Sequence, residues 1–150
     1  MEKSDKIVKK LKGLLEKTYD TKNSYELAAE RLEDPAIRHF INDKAMQRAT
    51  FALELKEAIG RSGERPAEGD AMGQPYNARK ELARSLSGNE TERVLEEVER
   101  VELISLKDYD KLLRDEESSL PGDIHRMLSR QRQAIRTALD TARTFEDLAP

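Results

Sequence analysis

Cysteine is missing from all 150 residues. That one absence removes disulfides, thiolate zinc sites and cysteine nucleophiles together. Tryptophan is missing too, and aromatics make up only 5%. No apolar run approaches the ~20 residues that a membrane-spanning helix needs, and no signal-peptide core follows Met1. The cytoplasm is therefore the default location, and no membrane partner is expected. The formal charge is −3, with both signs interspersed. No basic block exceeds the short cluster of Lys9, Lys10 and Lys12, so no nucleic-acid partner is expected either. A glycine-rich phosphate loop, an H-E-x-x-H pair and a G-x-S-x-G elbow are all absent. The only two histidines are His39 and His125, and no serine-type triad is expected.

What the chain does have is charge and periodicity. Charged residues reach 38%, and Glu, Lys, Arg, Leu and Ala are good helix formers. The spacing predicts a first helix over residues 4–33, with a stripe of Ile7, Leu11, Leu14, Thr18, Thr21, Tyr25, Ala28 and Leu32. Asp34-Pro35 then interrupts it: Asp is a good N-cap, and proline is tolerated in a first turn. A second helix over 35–61 carries Ile37, Ile41, Ala45, Arg48, Ala52, Leu55 and Ile59 on one face. Residues 63–75 are rich in glycine and proline, and a short amphipathic helix is expected over 76–86. A third long helix over 90–118 presents Val94, Val98, Val101, Ser105, Tyr109 and Leu112. The last, over 122–148, presents Ile124, Leu128, Gln131, Ile135, Ala138, Ala142 and Phe145.

These elements predict one all-α domain spanning residues 1–150, an antiparallel four-helix bundle made of two hairpins. The connection between the hairpins, Gly63 to Asn89, is long enough to run the length of the bundle. Helices two and three would then be parallel, which is the ferritin-like arrangement, with the short fifth helix carried on the crossover.

Four segments add a resemblance. Ser24-Tyr25-Glu26-Leu27-Ala28-Ala29-Glu30 resembles a GY-x-x-AAE block. The run from Ala45 to Leu55 resembles A-x-QR-x-x-FA-x-EL. The loop glycines follow in order, then Glu99-Arg100-Val101-Glu102 and Tyr109. Together they resemble a bacterial ferritin-like family of uncharacterised four-helix-bundle proteins of about this length. The family's ERGED block stands here without its glycine and second acid. The resemblance implies a fold and brings no activity with it.

A di-iron centre in such a bundle takes a Glu from each of two helices and a Glu-x-x-His from each of the other two. Neither His39 nor His125 follows a glutamate by three residues, and each lies near the start of its helix. No iron or manganese cofactor and no catalytic residue are therefore expected. The alternative is a degenerate carboxylate site of Glu99, Glu102 and Asp140 holding either metal. Arg48 is the anomaly, a guanidinium at the midpoint of an apolar stripe. Counting heights from the two tight turns places it in a polar layer with Thr21, Gln47, Glu99, Glu102 and Asp140. A buried arginine needs such carboxylates; otherwise it must snorkel to solvent. The four tyrosines are expected to pack with their hydroxyls outward, and Gln131 to bond Tyr109. The functional expectation is a non-catalytic bundle acting through its surface or as a homo-oligomer through its helix faces.

Overall fold

The computed structural model describes residues 2–61, 91–116 and 119–148. Its helices are α1 (Glu2–Arg31), α2 (Pro35–Arg61), α3 (Thr91–Asp115) and α4 (Gly122–Leu148), and no strand occurs among the described residues. The connection after α2 and the short helix expected over 76–86 lie outside the described residues.

Local chemistry explains the boundaries. Asp34 accepts hydrogen bonds on Oδ1 from the backbone N–H of Ala36 (2.9 Å) and Ile37 (3.3 Å), capping α2 while Pro35 occupies its first turn. α1 stops at Arg31 rather than Glu33, because the next residues form that cap. α3 stops at Asp115, short of the expected 118. Beyond it Glu116 turns inward, its carboxylate receiving Lys10 at 2.9 Å and Lys6 at 3.3 Å. Pro121 opens α4, its carbonyl accepting from the N–H of His125 at 2.9 Å.

Side-chain pairs along the helices fix the topology. From α1 to α3, Lys10 meets Glu116, Lys17 meets Asp108 and Tyr25 meets Glu102, so these two helices are antiparallel. α1 and α2 form a tight antiparallel hairpin, and α2 is consequently parallel to α3. Arg61 meets Asp123 and Phe40 stacks on Phe145, so α2 and α4 are antiparallel. Backbones approach within the two hairpins, and more sparingly between α1 and α3 and between α2 and α4. α2 and α3 thus face each other across the diagonal, with the end of one and the start of the other at opposite ends of the bundle.

The core falls into two apolar halves. One gathers Leu11, Leu15, Leu55, Ile59, Leu128 and Ile135 among others. The second gathers Ala28, Ile41, Ala45, Val94, Leu95 and Val98. Every helix also contributes polar groups to the interior: Asp20, Thr21 and Ser24 from α1, Arg48 from α2, Glu102 with the half-buried Ser105 from α3, and Gln131 from α4. No helix among the described residues is long and apolar enough to cross a membrane.

Candidate functional site

Arg48 is on the inward stripe of α2 and cannot reach water: it is 2% exposed, and Glu102 opposite it is fully buried. The guanidinium grips the carboxylate with both arms. Nη1 donates to Oε2 at 3.1 Å and Nη2 to Oε1 at 2.6 Å. Such a bidentate fork is the strong form of this interaction. Nη2 also donates to Ser105 Oγ at 3.1 Å, and the Tyr25 hydroxyl donates to Glu102 Oε1 at 2.8 Å. The flat cation is sandwiched as well, its Cζ lying 6.0 Å from the Tyr25 ring centre and 5.8 Å from that of Phe51.

The titration behaviour follows from these neighbours. Burial alone would lower the Arg48 pKa, but the Glu102 charge and hydrogen bond, together with Tyr25 and Tyr109, outweigh it and hold the guanidinium above its ordinary value. Tyr25 is pushed well above the phenol range, by burial first and by Glu102 second. Tyr109 is raised too, mainly by burial. All three stay in one protonation state across neutral pH.

The other residues of the expected layer divide. Thr21 is buried and, with Thr18, Ser105 and Tyr109, lines a cavity of about 10 Å³ beside Arg48 without bonding to the pair. Gln47 is half-buried next to Arg48 in sequence but on another face, and its Oε1 is enclosed without a donor among the described residues. Glu99 is not in the layer: it accepts from Arg143 Nε at 2.9 Å, on the α3–α4 side. Asp140 is not there either, being 59% exposed and facing Arg136 one turn away. Matching height along the axis is therefore not enough, because Glu99 and Asp140 point around the helix rather than into the centre. The snorkelling alternative for Arg48 is likewise overturned by its burial.

Sequence reasoning missed two members. Tyr25 does not turn its hydroxyl outward; it is fully buried and spends that hydroxyl on Glu102. Its place on the α1 stripe, one turn beyond Thr21, was the available signal. Ser105 likewise lay on the α3 stripe, one turn from Glu102. A second polar link runs nearby, where Tyr109 donates to Gln131 Oε1 at 2.7 Å and Gln131 donates to Glu54 at 3.0 Å.

At the other side of α3, Glu99 and Glu146 share an interior edge. Arg143 holds the Glu99 carboxyl below its usual range, whereas burial, then the hydrogen bond and charge of Glu99, push Glu146 up to about 7. Oε1 of Glu146 is enclosed and meets no donor among the described residues. A protonated Glu146 resolves that, because its own O–H can donate to Glu99.

The three carboxylates of the expected alternative metal site, Glu99, Glu102 and Asp140, are not brought together. Glu102, one of three buried carboxylates among the described residues with Asp20 and Glu116, is already neutralised by a cation of the protein. Glu99 and Asp140 point elsewhere. Among the described residues no group of three or more His, Asp or Glu is arranged to hold a metal ion.

Comparison with known proteins agrees with this architecture. A family model described as a domain of unknown function, DUF2383, matches residues 6–115. Among solved structures, a mutant of Dps1 from Mycobacterium smegmatis superposes with a TM-score of 0.80 at 13% identity, over 97% of each chain. At that identity the likeness concerns the fold, which is ferritin-like. No curated protein matches the chain.

Proposed function

The chain belongs to the DUF2383 family of domains of unknown function, and from that premise we propose that it is a non-catalytic ferritin-like bundle acting through its surface. In this reading the Arg48–Glu102 pair is structural and occupies the mid-bundle position where ferritin-like proteins build metal sites from facing helices. The observation that carries it is the buried, bidentate guanidinium on the fully buried Glu102 carboxylate. A dication brought there would meet a fixed positive charge in a low-dielectric interior, where repulsion is strong. Self-association through helix faces belongs to the same reading. Met46 and Leu53 stand 71% and 66% exposed on the outer side of α2, well suited to packing against another helix.

The competing reading is a degenerate iron or manganese site of Glu99, Glu102 and Asp140. Metal analysis of protein purified without chelator separates the two. The proposal expects no stoichiometric iron or manganese, before or after incubation with either ion. Two tightly bound metals per chain, lost on replacing Glu102, would overturn it. Light scattering across a concentration series tests the surface part: Met46→Lys with Leu53→Lys should lower the mass of any assembly.

A further inference from the structure

A groove of about 290 Å³ runs between α1 and α3, away from the central ion pair. Its floor is Leu14 and Leu112, and its rim carries Lys10, Lys17 and Lys111 together with the carboxylate of Asp108. Two of these lysines are committed to carboxylates: Lys10 to Glu116 at 2.9 Å and Lys17 to Asp108 at 3.0 Å. Lys111 is exposed and pairs with none of the described carboxylates. Lysine stems add apolar wall to such a groove while their heads stay at its mouth.

The wall on the α1 side is Gly13. A glycine in the interior of a long helix weakens it, so its presence asks for a reason. Packing supplies none, because a Cβ built there meets nothing within 4 Å. The missing side chain leaves the groove open rather than letting two backbones approach.

We propose that this groove binds a medium-chain fatty carboxylate, with the alkyl chain along Leu14 and Leu112 and the carboxylate at Lys111. The volume lies at the small end of ligand pockets, which span about 300–1,000 Å³, and suits one flexible chain rather than a fused-ring ligand. A free ammonium beside an apolar floor selects an anionic head over a neutral one. The site is independent of the core reading, so the outcome of metal analysis leaves it untouched.

Titration calorimetry of the full chain with decanoate, below its micelle concentration, tests this. Saturable binding of one decanoate per chain is expected, with amide shifts in NMR spectra confined to the surroundings of Gly13 and Lys111. Decanol should bind at least about tenfold more weakly, since it lacks the charge. Gly13→Met should abolish binding while keeping or raising the melting temperature, so loss of fold cannot mimic the effect. Lys111→Glu should weaken decanoate and leave decanol unchanged. Absence of saturable binding, full binding by Gly13→Met, or equal binding of decanol and decanoate would each overturn the proposal.

Discussion

At the scale of single residues, Arg48 makes the sharpest claim on stability. Arg48→Met strands Glu102 in the interior, and breaking such a pair from one side costs about 3–5 kcal/mol. Adding Glu102→Leu should restore much of that loss, because an apolar pair of similar volume is often as stable as a buried ion pair. Recovery stays incomplete while the Tyr25 hydroxyl is left without its acceptor, a cost of about 1–3 kcal/mol, and Tyr25→Phe in the triple variant should remove it. Urea melts of the single, double and triple variants check the series; small additive losses would refute the coupling. Glu146 gives a pH signature instead. Its folded pKa of about 7 lies above the usual 4.5, so the folded state binds the extra proton between those values. Stability should fall as pH rises through that window, and the penalty is complete above 7. Glu99, Glu96 and Asp147 supply the surrounding negative charge, with Arg143 opposing it on Glu99. Melting temperatures of the wild type and Glu146→Gln should therefore diverge from pH 5 to pH 8, with the variant gaining.

Among the helices, the entry to α2 is the most exposed to test. Asp34→Ala removes the acceptor for two N–H groups and should cost about 1 kcal/mol, read as a lowered melting temperature. Asp34→Asn should cost much less, since an amide oxygen still caps. This boundary was legible in the sequence because Asp-Pro has a local meaning. The stripes were legible too: Ile41, Leu55, Val98 and Ile135 are all buried where their spacing placed them. Counting outward from tight turns puts Glu102 among three carboxylates level with Arg48, because it measures height. What counting cannot measure is azimuth. Glu99 and Asp140 share the height and not the direction, and only the packed helices decide between them. The Tyr25 hydroxyl was missed for a related reason. A tyrosine on a stripe says nothing of where its oxygen goes until its partner is known.

For the molecule as a whole, the parallel course of α2 and α3 is open to direct measurement. A chain without cysteine accepts two labels anywhere. Spin labels at Arg38→Cys and Glu92→Cys should report a short separation, because both lie at the end of the bundle holding Phe40 and Phe145. Moving the second label to Arg114→Cys should lengthen it markedly, because the intervening α3 residues rise about 30 Å along the bundle axis. The reverse order of distances would mean an up-down-up-down bundle and would dismiss the ferritin-like topology.

The buried ion pair between two apolar half-cores has a kinetic consequence. Each hairpin can form from local contacts, but the two must then dock, and apolar stripes alone tolerate several alignments. Sliding one hairpin past the other by a helical turn, about 5.4 Å, keeps leucine against leucine. It also leaves a guanidinium and a carboxylate each facing hydrocarbon, at a cost of several kcal/mol. Misdocked encounters are therefore short-lived and release before they consolidate. The ion pair works as a proofreading step in assembly, rejecting wrong alignments at the moment of collision.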